Sequence, residues 1–167
     1  VTESAEFARR LPRLFGKAFS VAFDTLPEPS LLGKQTLSIT DPKKIGSVFA
    51  HCGFSAESSV ALHLNFALVE KECCRKAFLR GAFLAGGSVT DPEKRYHLEL
   101  STTHLKVSRE TETLLREMEM PPKETERKGS SVLYYKQSES IEEFLAVIGA
   151  PVSAMAVMLA KIDKDWR

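Results

Sequence analysis

The run Leu79-Arg80-Gly81-Ala82-Phe83-Leu84-Ala85-Gly86-Gly87-Ser88-Val89 constrains the fold more than any other part of the chain. Gly81 and Ala85 are four residues apart, so on a helix they share one face that carries almost no side chain. Such a face lets a second helix backbone come close. Glycine inside a helix costs about 1 kcal/mol relative to alanine, so its presence there calls for a reason. Gly86-Gly87 then ends the helix and turns the chain into a strand near Ser88. The plain alternative is a helix that simply ends in a generous glycine cap.

The elements around this run have a definite order. The spacing of Phe7, Leu11, Leu14, Phe15 and Ala18 predicts a helix near the start, capped by Thr2 or Ser4, with Glu3 and Glu6 at the positive end of its dipole. Pro12 requires that helix either to begin near Leu11 or to kink. Ser20–Asp24 and Gln35–Thr40 alternate as strands, and Leu26–Lys34, with Pro27, Pro29 and Gly33, is a loop. Asp41 caps a short helix with Pro42 at its first position, Ile45, Val48 and Phe49 as its apolar stripe, and Gly53 as its stop. The same order returns further on. A helix over Ser108–Met118 with Leu114, Leu115 and Met118 is followed by strands at Lys123–Lys128 and Val132–Lys136 about a Gly129-Ser130 turn. Ser138 or Ser140 then caps a helix carrying Ile141, Phe144, Leu145 and Ile148, stopped by Gly149. A helix over about Val69–Ala85 and a hairpin over about Gly87–Ser101 precede this second copy. The fold expected is α+β, with an internal repeat. A last helix, Val152–Trp166, has Met155, Met158, Leu159 and Ile162 as its apolar stripe and Lys161, Lys164 and Arg167 towards its end.

Composition narrows the function. Hydrophobic residues are 43% and charged residues 27% of the 167, as in an ordinary globular domain, and the net charge is +1. No apolar run reaches the roughly 18–20 residues of a membrane span. The first residues, VTESAEFARR, lack the apolar stretch of a signal peptide. Binding to nucleic acid must then come from a local patch or from a further domain. Cys52, Cys73 and Cys74 lack CxxC spacing and are expected to be buried structural thiols in a reducing compartment. Asp91 and Glu93 form a polar turn with Pro92. His97 and Glu99 face away from a core built on Tyr96, Leu98 and Leu100, and His104 completes no metal set. No nucleophile motif or phosphate loop is present.

The helix Leu79–Val89 resembles the LAGLIDADG helix of homing endonucleases, two of which pack side by side. The longer run Cys73–Ser88, continuing through Asp91-Pro92-Glu93-Lys94 and Tyr96-His97-Leu98-Glu99, is similar to the WhiA family, as are Thr2-Glu3-Ser4-Ala5 and Ala8-Arg9-Arg10. The resemblance implies two pseudo-symmetric αββαββα-type repeats with β-sheet saddles. Residues 1–68 would be the C-terminal part of a truncated first repeat and 69–149 the second repeat. Residues 150–167 would lead to a helix-turn-helix domain that is absent here. In active homing endonucleases the motif helix ends in an aspartate that holds a divalent metal. Gly86 stands at that position and Leu84 at the motif's other acidic position, so neither offers an oxygen ligand.

What the resemblance implies is a non-catalytic, cytoplasmic, nucleoid-associated DNA-binding regulator of transcription, linked to sporulation, cell division and chromosome segregation. It needs no cofactor or metal. Double-stranded DNA is bound mainly by the helix-turn-helix domain, and Arg95, His97, Lys123, Arg127, Lys128 and Lys136 are the candidate DNA contacts on the saddle, diluted by Glu99, Glu124 and Glu126. Gly81, Ala85 and Gly86 form the helix-packing motif, through which two chains pair as a homodimer. A regulatory protein partner is the alternative occupant of the saddle. The rival functions are a protein–protein scaffold that never touches DNA and a metal-dependent endonuclease.

Overall fold

The computed structural model describes residues 1–2, 4–27, 33–55 and 61–166. The chain divides into two compact units, Val1–Val60 and Ala61–Arg167.

The first unit holds two helices, α1 (Ala5–Phe19) and α2 (Pro42–His51). Ser4 caps α1, its hydroxyl accepting from the Phe7 N–H at 3.2 Å, and the helix runs through Pro12. Asp41 caps α2 as the sequence predicts, accepting from Lys43 N–H at 2.8 Å, and Pro42 takes the first helical position. Gly53 follows with φ +79°. Phe15 packs against Phe19 and Phe23 at centroid distances of 5.1 and 4.7 Å. The expected strands shrink to isolated antiparallel bridges, Thr2↔Gln35 and Thr25↔Ser38. Both Asp24 and Thr25 N–H groups aim at the Ser38 carbonyl, so no regular ladder propagates beyond that rung. Part of the expected loop, residues 28–32, lies outside the described residues.

The second unit carries the order αββαββα. A short 3-10 turn, Phe66–Val69, leads into α3 (Glu72–Gly86). Then come β1 (Gly87–Val89), β2 (Leu98–Thr102), α4 (Leu105–Glu117), β3 (Lys123–Arg127), β4 (Ser130–Tyr135) and α5 (Ser138–Val147), followed by α6 (Pro151–Asp165). The sheet is fully antiparallel in the order β1-β2-β4-β3. Apolar residues alternate along β2 and β4, so Leu98, Leu100, Leu133 and Tyr135 meet Leu79 of α3, Leu114 and Leu115 of α4, and Ile141, Phe144 and Leu145 of α5 in one core. The Tyr135 hydroxyl, buried here, donates to the Met120 carbonyl at 2.6 Å, which satisfies the one polar atom on that ring.

Three local expectations are corrected. The β3–β4 turn is Lys128-Gly129, not Gly129-Ser130: both central residues have positive φ, 52° and 75°, the geometry of a tight two-residue hairpin, and Ser130 already belongs to β4. Neither Ser138 nor Ser140 caps α5; Gln137 takes the cap position without a side-chain bond. On α6 the packed residues are Ala154, Val157 and Ala160, while Met155, Met158, Leu159 and Ile162 are exposed. Small side chains let α6 lie close on α5, and the large ones are left outside. The cysteines also depart from expectation, since Cys73 is exposed and Cys52 and Cys74 are only half-buried.

Candidate nucleic-acid interface

The end of α3 is the part of the site that decides its chemistry. A Cβ on Gly86 would sit 2.4 Å from the Ser101 carbonyl oxygen of β2, a backbone atom that cannot swing aside. A Cβ on Gly87 would meet the Phe83 ring at 2.3 Å. Gly86 therefore serves as a close approach of helix and sheet, while Gly87 lets the chain leave α3 past the Phe83 side chain and carbonyl. Gly81 differs from both: a Cβ there meets no described atom within 4 Å, and Ala85 is exposed, so this face of α3 is open. Next to Gly81 on α3, the Arg80 guanidinium donates to the Ile148 carbonyl at the end of α5, beside Gly149 with φ +83°. Sequence reading assigned Arg80 no such role, and only its place one residue before the glycine face hints at it.

The sheet face turned away from the helices is assembled by register. Cross-strand partners share a face, and Glu99 pairs with Tyr134, which pairs with Lys123; Ser101 pairs with Val132, which pairs with Thr125; Ser130 pairs with Arg127. This face thus carries Glu99, Tyr134, Lys123, Thr125 and Arg127, with buried Val132 at its centre. Alternation sends Glu124 and Glu126 to the opposite side, where the Ser131 hydroxyl donates to Glu124 at 3.3 Å. Of the three acids expected to dilute the patch, only Glu99 shares the basic face.

Glu99 is tightly held. One of its carboxylate oxygens lies 2.9 Å from His97 Nε2 and accepts from Arg127 at 3.3 Å. The His97 hydrogen bond, with the Arg127 charge adding to it, holds the Glu99 carboxyl below the usual range. The His97 ring stacks on Tyr134 at 5.8 Å between centroids, and the Lys136 ammonium lies 5.3 Å from the same ring. His97, Arg127 and Lys136 are therefore brought together around Glu99 and Tyr134, with Lys123 beside Tyr134 in register. Lys128 stands at the hairpin tip, and Arg95 is exposed in the β1–β2 loop, where its carbonyl accepts from the Thr90 hydroxyl at 2.8 Å. Tyr134 was missed by sequence reading. Its signal was the alternation of β4, which sends Leu133 and Tyr135 to the core and Tyr134 to the opposite face.

The arrangement supplies cations with an aromatic platform, a combination suited to phosphates. Among the described residues, no group of three or more His, Cys, Asp or Glu is placed to hold a metal ion.

The comparisons with known proteins agree with this architecture. The sequence profile described as the WhiA LAGLIDADG-like domain matches residues 75–167. A protein of Ruminiclostridium cellulolyticum named probable cell division protein WhiA is 37% identical over 171 residues, covering 100% of this chain and 55% of that protein. The protein of the same name from Brevibacillus brevis is 36% identical over 170 residues, covering 99% of this chain and 54% of its own length. The chain therefore spans about half the length of the curated relatives it matches. Among solved structures, full-length WhiA from Thermatoga maritima superposes with a TM-score of 0.69 at 19% identity, over 98% of this chain and 51% of that one. A WhiA N-terminal LAGLIDADG domain superposes with a TM-score of 0.65 at 24% identity, over 89% of this chain and 70% of that one. At these identities the superpositions speak for the fold, an α+β LAGLIDADG-like architecture, and the profile match over more than half of the chain speaks for descent: the chain belongs to the WhiA family, of whose LAGLIDADG-like domain it is a member.

Proposed function

We propose that the chain is the non-catalytic LAGLIDADG-like part of a DNA-binding transcriptional regulator, acting at the nucleoid in the cytoplasm. Its roles would lie in cell division, chromosome segregation and, in some bacteria, sporulation. The curated relatives' name, probable cell division protein, supports the first of these. In the whole protein a helix-turn-helix domain would read sequence, while the sheet face described above positions the domain on duplex DNA through phosphates.

The observation that carries the non-catalytic reading is Gly86. A hydrolytic metal site needs a carboxylate at the end of α3, and the 2.4 Å approach to the Ser101 carbonyl leaves no room for even a Cβ there. The observation that favours DNA over an exclusively protein-binding role is the strand β3, whose alternation puts Lys123 and Arg127 on the face with Lys136 and His97 and turns both its glutamates away.

The test is duplex binding by the chain, followed by fluorescence anisotropy at several salt concentrations. Affinity should fall steeply with salt, and Lys123→Glu with Arg127→Glu should weaken binding at least about tenfold and flatten the salt dependence. Binding that is absent, or unchanged in the double variant, would leave DNA contact to other parts of the protein and assign this face to a regulatory protein. The open Gly81/Ala85 face is the proposed homodimer contact. Sedimentation should show a monomer–dimer equilibrium that Gly81→Leu abolishes, and a monomer at all concentrations would remove that proposal.

A further inference from the structure

Along α6 and its cap, Val152, Met155, Leu159, Ile162 and Trp166 follow one another at spacings of three, four, three and four residues. That spacing matches the a and d positions of two successive heptads, the pattern of a helix-pairing seam. Here the whole seam is exposed: Leu159 retains 53% of its accessible surface and Trp166 87%. A continuous apolar stripe of this kind marks a binding surface rather than a scatter of surface hydrophobes. The seam lies on the side of α6 away from Ala154, Val157 and Ala160, which pack towards the unit's core.

Charge tells what kind of helix fits. The positions flanking the seam are Ala156, Met158, Asp163 and Asp165, so the only charges beside it are negative. The lysines of α6 are engaged on the body of the unit. Lys161 pairs with Glu139. Lys164 donates to the Pro92 carbonyl at 2.6 Å and lies 4.4 Å from the centre of the Tyr96 ring. A second copy of this α6 would bring its own acids to the seam and no cation to meet them. We infer that the α6 seam docks an amphipathic helix of a partner protein, with large aliphatic residues on its apolar face and lysine or arginine on either side.

Trp166 is the only tryptophan in the chain and sits on the seam, so its emission reports occupancy directly. The probes are two synthetic heptad peptides with leucine at the a and d positions, one with lysine and one with glutamate at e and g. Titrated into the chain, the lysine peptide should blue-shift Trp166 emission and bind at least about tenfold tighter than the glutamate peptide. Leu159→Glu should abolish the shift, and Asp163→Lys with Asp165→Lys should reverse the preference between peptides. Circular dichroism checks that both variants stay folded; Met155→Lys replaces Leu159→Glu if that one unfolds. No shift with the lysine peptide, equal affinity for both peptides, or burial of Trp166 by concentration-dependent self-association would each overturn the inference.

Discussion

At Gly86 the distance between a helix backbone and a strand carbonyl decides which side chain the chain can carry. Any side chain there must push α3 away from β2 at Ser101. Gly86→Ala should cost about 1–3 kcal/mol, the usual penalty for overfilling a packed crossing, read as a lowered urea midpoint. Gly86→Asp should cost at least as much and confer no cleavage, because the carboxylate arrives only by displacing the sheet. Glu99 is the second residue whose surroundings set its behaviour. Its folded-state carboxyl is held below its ordinary value. The stability it contributes is therefore present above the unfolded pKa and is lost as pH falls through the depressed folded one. Glu99→Gln should flatten the acid limb of a stability–pH curve. The same change frees Arg127, so duplex affinity should rise and the salt slope should steepen by about 0.9, the contribution of one more phosphate contact.

Among the elements, α6 has two faces with opposite consequences. Its core side belongs to the same packed cluster as Phe144 of α5. Phe144→Ala should destabilise the unit by about 3–5 kcal/mol, whereas Met155→Ala should stay within about 0.5 kcal/mol, both read by chemical denaturation. This helix also shows where sequence reading ran out. Large apolar residues at helical spacing predict a buried face, but a close helix–helix contact selects alanine and leaves methionine and leucine outside. Elements whose large apolar residues do face the core were legible: α3, the β1–β2 hairpin, α4 and α5 fall where periodicity and glycine stops predict them. The first unit was harder. Two alternating segments predict strands, but pairing is a property of two segments together: among the described residues Gln35–Thr40 makes single rungs with Thr2 and Thr25, and Ser20–Asp24 makes none. Tyr134 was hidden for a related reason, and so was the pairing that brings it to Glu99, since which residues meet across a sheet depends on register, which no single strand encodes.

For the whole molecule, the second unit is a LAGLIDADG-like αββαββα body whose first long helix ends in glycine rather than in a carboxylate. The small-residue face of α3 remains open at Gly81, the sheet presents cations on the side away from the helices, and the helix end where an acid would stand is filled by the backbone of β2. The proposed function is DNA contact without cleavage. The most direct measurement is incubation of the chain with supercoiled plasmid and magnesium, followed by electrophoresis with and without removal of the protein. The plasmid should be retarded while protein is bound and return fully supercoiled once it is removed. Nicked or linear plasmid after removal, abolished by changes on the sheet face, would contradict the account.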